Sequence, residues 1–207
     1  LAKAVNCLDI HNGNPCGKCE VCRGIDDGSI LDVVEMDAAS NRNIDDIRQI
    51  IDEVQFKPAK CKYRVYIIDE VHMLSMGAFN ALLKTLEEPP AHVKFILATT
   101  EVHKLPVTVV SRCQRFDFKR VNTAAMVNRM EYIAKEEGFV LTPDAASLIA
   151  RLSDGGMRDA LSILDLCASS SKNIDEATVE SVCAMAGNDY LLELFLLFFF
   201  LGALESF

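Results

Sequence analysis

The chain has 207 residues, enough for one ordinary domain or two small ones. Half of them are hydrophobic and a quarter charged, the balance of a globular chain that can bury a real core. A formal net charge of −9 excludes a wholesale basic coat for nucleic acid, although it leaves room for a local contact.

Eight cysteines are unevenly placed: Cys7, Cys16, Cys19 and Cys22 crowd the start, while Cys61, Cys113, Cys167 and Cys183 are scattered and read as small buried hydrophobes. The spacing Cys7-x8-Cys16-x2-Cys19-x2-Cys22, with Pro15 and Gly17 in the turn, lets successive thiolates reach one tetrahedral Zn²⁺. An iron–sulfur cluster and a disulfide pair are the alternatives, the disulfide being the poorer fit to an intracellular chain. With four protein ligands and no open position, such a metal is structural and not catalytic.

Residues 1–121 then alternate strand and helix. "DVVEMDAAS" (32–40) runs from strand into loop. "NIDDIRQIIDEV" (43–54) is a helix: Asn43 caps it, Asp45 and Asp46 suit the N-terminal dipole, and Ile44, Ile47, Ile51 and Val54 line one face. "RVYIID" (64–69) has the continuous β-branched character of a central parallel strand covered on both faces. Ser75 caps the next helix, with Phe79, Leu82, Leu83 and Leu86 at helical spacing and Pro89-Pro90 ending it. "VKFILATT" (93–100) is a further buried strand. Strands alternating with helices predict right-handed crossovers and a parallel sheet, an α/β domain.

After about Val121 the strand signals stop. A helix over 123–138 closes on Gly138, and Thr142-Pro143 opens another through Leu152. Gly155-Gly156 interrupts the chain before helices near 157–167 and 175–185. Residues 122–187 therefore read as a small all-α domain. The stretch "LLELFLLFFFLGAL" (191–204), within an apolar tail at 188–207, is shorter than the roughly 20 residues a membrane span needs, so no membrane is expected as a partner.

The chemistry concentrates at "VYIIDEVHML" (65–74). An apolar strand ending in Asp69-Glu70 is the Walker B pattern, in which the first acid holds Mg²⁺ and the second polarises the attacking water. Its edge position suits open parallel sheets, which bind ligands beyond their strands' carboxyl ends. The plain alternative is a strand that ends in solvated acids, and His72 alone reads as a satisfied polar residue. Thr100, ending its strand, is placed to hydrogen-bond a γ-phosphate or the attacking water. Arg112 in "SRCQRF" is either a surface cation or an arginine finger given to a neighbouring subunit's nucleotide. Arg158 in "GGMRDALS" starts a helix of the second domain, with a helix-surface cation as the plain reading.

Together "CGKCEVC", "MDAASN", "VYIIDEVHMLS", "FNALLKTLEEPP", "VKFILATT", "KLPVTVVSRC" and "GGMRDALS" resemble the clamp-loader branch of the AAA+ ATPases, specifically the gamma/tau subunits of bacterial DNA polymerase III, over about residues 1–187. The resemblance implies an AAA+ parallel-sheet domain over 1–121 with a zinc-binding insertion at 7–22, then a helical lid at 122–187. It places Asp69 on Mg²⁺-ATP, Glu70 in catalysis, Thr100 at sensor 1, Arg112 as the trans-acting finger and Arg158 at sensor 2. Cys7, Cys16, Cys19 and Cys22 fall on its zinc ligands. The implied work is ATP-driven opening of a sliding clamp and its loading onto primer–template DNA during replication, in the cytoplasm. The implied partners are other clamp-loader subunits and further copies of the chain. Nothing in these residues suggests nucleotidyl transfer, although the family belongs to a polymerase holoenzyme.

One departure stands out. The Gly-x-x-x-x-Gly-Lys loop, closed by Ser or Thr, that cradles phosphates in such ATPases is missing from the 207 residues. Leu1 is not a methionine, and in the family that loop immediately precedes the position of Leu1. The chain is therefore expected to be a fragment truncated at its N-terminus, starting just past the loop and binding ATP feebly by itself. Two competing functions remain: a non-hydrolysing, delta prime-like stator of the same machine, and a zinc-bearing DNA-binding module, which the acidic balance disfavours.

Overall fold

A computed structural model describes residues 1–41 and 43–184. The apolar tail at 188–207 lies outside the described residues, as does the end of the helix expected to reach 185. The chain forms two compact units, Leu1–Phe116 and a second that begins at Asp117.

The first unit is built on a three-stranded parallel sheet in the order β1 (Val33–Asp37), β2 (Arg64–Asp69), β3 (Val93–Leu97). It opens with α1 (Ala2–Asn6) and α2 (Glu20–Asp26). The crossovers are α3 (Ile44–Glu53) and α4 (Met76–Glu87), and a short helix, α5 (Val107–Val110), follows β3. The local signals work as physical chemistry requires. At the start of α3 the Asp46 carboxylate accepts from the Asn43 amide at 3.2 Å, and at the start of α4 the Ser75 hydroxyl accepts from the Ala78 amide at 3.2 Å. Ile47 and Ile50 from α3, with Val54 at its C-cap, meet Phe79, Leu82 and Leu86 from α4 over Tyr66 and Ile68 of β2.

The structure corrects one expectation here. β2 is not covered equally on both faces: α3 and α4 pack on the side of Tyr66 and Ile68, while half-buried Ile67 borders a cleft of about 770 Å³. The reason is handedness. Two successive right-handed crossovers in strand order 1-2-3 put both helices on the same side of a sheet.

Two polar clamps hold the segment that feeds β2. The buried Asn6 side chain accepts from the Tyr63 amide at 2.8 Å and donates to the Tyr63 carbonyl at 3.0 Å. Asp32, also buried, accepts from the amides of Ala59, Lys60 and Cys61 at 2.8, 2.7 and 2.9 Å. Burial alone would raise the Asp32 carboxyl, but the three amides outweigh it and hold its pKa below the ordinary carboxylate value. Because the folded pKa is depressed, this stabilisation is present above the unfolded value near 4 and is lost as pH falls through the lower, folded value. Asp32→Ala removes the buried acceptor of three partly exposed amides and is expected to cost about 1–2 kcal/mol, read as a fall in urea midpoint at pH 7 that narrows on acidification.

The second unit packs α6 (Thr123–Glu137), α7 (Pro143–Leu152) and α8 (Met157–Ser170) around Met126, Met130, Ile149, Leu164 and Ile174. Its first residues include Val121, whose amide donates to the Gly155 carbonyl at 3.1 Å. Gly138 ends α6 at φ +76°, and the Thr142 hydroxyl caps α7 with Pro143 in the first turn. Strand structure does not stop at Val121: β4 (Val140–Leu141) pairs in parallel with β5 (Asn173–Ile174). Two-residue strands are too short to leave a periodic signal, and tertiary packing makes them. Residues 176–184 are helical, and no helix among the described residues is long and apolar enough to cross a membrane.

Candidate functional site

The carboxyl ends of β1 and β2 bring Asp37 and Asp69 into register as ladder partners. Asp37 is consumed locally: its carboxylate accepts from the Ala39 amide at 2.7 Å and the Ser40 hydroxyl at 3.1 Å. Asp69 is exposed, with one oxygen on the Glu70 amide at 2.9 Å. Glu70 then turns the chain sharply, at φ +45° and ψ +43°. A left-handed backbone at a residue with a side chain costs on the order of 1–2 kcal/mol, so the surrounding contacts must enforce it. They do. The Val71 amide donates to the Ala98 carbonyl and the Ala98 amide to the Ile68 carbonyl, both at 2.9 Å, extending the β2–β3 ladder around the bend.

That continuation delivers Thr99 and Thr100 beside the acid. The Thr100 hydroxyl donates to Glu70 Oε2 at 3.2 Å. Asp69, Glu70 and Thr100, singled out from the sequence, thus stand at one sheet edge. Arg112 is placed otherwise: at the end of α5 its guanidinium donates to the Thr108 carbonyl at 2.5 Å and pairs with Glu87. Arg158 is exposed on the first turn of α8 in the second unit. Sequence reasoning missed Glu87 as the holder of Arg112 and the wider network around Glu70, which joins residues about 30 positions apart.

The four clustered cysteines do converge. Their sulfur atoms lie within 4.8 Å of one another. Four thiolates about a single tetrahedral ion at about 2.3 Å stand about 3.8 Å apart, so this set is compact enough to close on one metal. The chain returns from Cys7 to Cys16 through a tight hairpin, His11 bridging Asn14, with Asn12 and Gly13 at φ +50° and +80°. Asn-Gly supplies that turn, since both central residues need positive φ; Pro15 lies beyond it, and Gly17 (φ +67°) makes the second bend.

Backbone amides are aimed at the sulfurs: Asp9 and Cys16 at Cys7 (3.4 and 3.2 Å), Lys18 and Cys19 at Cys16 (3.4 and 3.3 Å), Cys22 at Cys19 (3.3 Å). The amides of Leu8 and Cys22 pull the Cys19 thiol down to about 6, whereas burial, with Cys19 beside it, pushes Cys22 up to about 12. Donors aimed at sulfur stabilise negative charge there, the state in which cysteine binds metal. The cluster can hold a metal.

Residues 1–122 match the family described as "DNA polymerase III, delta subunit", and residues 125–171 match "DNA polymerase III clamp loader subunit, ATPase lid domain". The chain is 58% identical over 174 residues to the DNA polymerase III subunit tau of Bacillus subtilis (strain 168), covering 84% of this chain and 31% of that protein. It is 46% identical over 187 residues to its counterpart in Escherichia coli (strain K12), covering 90% and 29%. The chain belongs to the gamma/tau family of DNA polymerase III clamp-loader subunits. It spans about three tenths of the length of these curated relatives. Among solved structures, the RuvB Holliday junction branch migration motor of Thermotoga maritima aligns with a TM-score of 0.62 at 16% identity, over 74% of this chain and 52% of that one. That likeness gives the fold: an AAA+ α/β domain followed by a helical lid.

Proposed function

We propose that the chain is part of a clamp-loader motor subunit that hydrolyses ATP at the carboxyl edge of the β1–β2–β3 sheet, driving a sliding clamp open and onto primed DNA in the cytoplasm. The observation that supports it most is Asp69-Glu70 at that edge, with the Thr100 hydroxyl on Glu70. Asp69 is an exposed carboxylate, the donor a hard divalent cation takes, and it would hold Mg²⁺. The ion, when bound with ATP, neutralises charge developing on the transferred phosphoryl group. Glu70 accepts the proton of the attacking water. Both the sensor-1 role of Thr100 and the sensor-2 role of Arg158 belong to this proposal.

Arg112 is the finger for a neighbouring subunit's nucleotide. Its partners within the first unit are Thr108 and Glu87, not the Asp69–Glu70 edge, as a group serving another protomer requires. The neighbours are further clamp-loader subunits, with the clamp and primer–template DNA as clients. The cysteine cluster holds one structural Zn²⁺, its tight sulfur spread suiting a single ion better than an iron–sulfur cluster. A second reading, a non-hydrolysing stator of the same assembly, is favoured by the delta-subunit description of residues 1–122. The acid pair weighs against it, since a stator has no use for a water-activating Glu70.

Complementation between two dead variants tests the motor reading. Full-length Arg112→Ala and Glu70→Gln proteins should each lose at least about a hundredfold in ATP turnover. Mixed assemblies of the two should recover part of it, because some interfaces regain both an intact acid and an intact arginine. Mixed assemblies that stay as inactive as either parent contradict an arginine acting in trans.

A further inference from the structure

The fold buries an imidazole that the proposed chemistry does not use. His72 sits three residues past Asp69, in the short helical turn Val71–Met73, with its side chain only 7% exposed. Each ring nitrogen faces a carboxylate: Nδ1 is 3.3 Å from Glu70 Oε2, and Nε2 is 3.2 Å from Glu101 Oε2. Nδ1 also lies 3.0 Å from the Thr99 hydroxyl, which itself accepts from the Glu101 amide at 3.0 Å. On the far side, Lys104 pairs with Glu101 at 2.6 Å. A chain of contacts therefore runs Lys104–Glu101–His72–Glu70, anchored on the β3 side by Thr99. A buried, doubly contacted imidazole is costly to assemble unless its contacts are kept.

The contacts also select one oxygen. Both Thr100 and His72 touch Oε2 of Glu70, and among the described residues Oε1 has no hydrogen-bond partner. The Thr100 hydrogen bond and the nearby imidazole both restrict Oε2 and leave the other oxygen free to take a proton.

We propose that His72 is a positioning residue: backed by Glu101 and Thr99, it fixes Oε2 of Glu70 so that Oε1 is presented to the attacking water. The proposal rests on the reading of Glu70 as the water-activating acid. It differs from a merely structural role because its effect must pass through Glu70 and must fall on turnover rather than on ATP affinity.

A double-mutant cycle on the full-length, assembled protein separates these possibilities, read as kcat and KM for ATP with Tm as the check on folding. His72→Ala should lower kcat roughly tenfold and leave KM within about twofold. In a Glu70→Gln background the same substitution should cost nothing further, since there is no acid left to position. Glu101→Gln, which leaves the imidazole in place and weakens its backing, should lower kcat in the same direction by a smaller factor. If His72→Ala does not fold, His72→Gln takes its place in the cycle with the same expectations. An unchanged kcat, or the same fold-loss in both backgrounds, overturns the positioning role while leaving the acid's role intact. Full turnover in Glu70→Gln alone overturns the underlying reading instead.

Discussion

Glu70→Gln in the full-length, assembled protein should leave ATP binding within a few-fold of native while turnover falls by about a hundredfold to ten-thousandfold, the range expected when a positioned general base is removed. The amide keeps the shape of the side chain and can still accept from the Thr100 hydroxyl that donates to Glu70 Oε2 at 3.2 Å. It cannot take a proton at neutral pH. The loss must therefore appear in kcat and not in KM, which equilibrium ATP binding measured beside steady-state hydrolysis will show. The left-handed turn at φ +45° remains, so folding should change little, and an unchanged Tm is part of the expected result.

A comparably large effect is expected at the cysteine cluster. Purified protein should carry about one equivalent of zinc, and Cys19→Ser should remove most of it. The substitution takes away one of four sulfurs that lie within 4.8 Å, while the serine hydroxyl can still cap α2 by accepting from the Cys22 amide, so the loss falls on the metal and not on the helix start. A structural site of this kind carries folding free energy, because its ligands do not converge in the unfolded chain. The hairpin at His11–Asn14 and the seven-residue helix α2 have little other support: Leu8, Ile10 and Leu31 are exposed, and Val21 and Cys22 are the main buried groups. A chelator should therefore make residues 7–26 sensitive to protease while the β1–β2–β3 core stays protected. The join between the two is the Asn6–Tyr63 clamp, which survives metal loss if the core is autonomous. Full zinc content in Cys19→Ser would rule out the four-sulfur site.

The elements legible in the sequence are those whose own residues decide them. β2 is a run of apolar β-branched residues, and α3 and α4 carry a cap, a 3.6-residue apolar stripe and a stop. The zinc-type spacing was legible because adjacent thiolates in Cys-x2-Cys are neighbours along the chain. What the sequence hid depends on distant partners. The helix α2 is seven residues long inside the cysteine module, and a pattern that short does not establish a period. The β4–β5 pair exists only because α6, α7 and α8 bring its strands together. The left-handed conformation of Glu70 has no residue-type signature, since glutamate ordinarily avoids it.

Candidate site residues divide the same way. Asp69 and Glu70 are adjacent and sit on a recognisable strand end, so their role could be read directly. His72 looked like an ordinary polar residue because Glu101 and Thr99, which give it meaning, come 29 and 27 positions later. Arg112 was marked by its motif, but nothing in the string "SRC" shows that Glu87, 25 positions earlier, will hold it.

The most direct test of the account replaces both acids at once. Steady-state ATP turnover should be measured in the assembled full-length protein carrying Asp69→Ala and Glu70→Ala, with Mg²⁺ in excess and intact assembly confirmed by mass. The expected result is turnover at the level of a no-enzyme control. Turnover within a few-fold of the native protein would contradict the claim that this sheet edge is where ATP is hydrolysed.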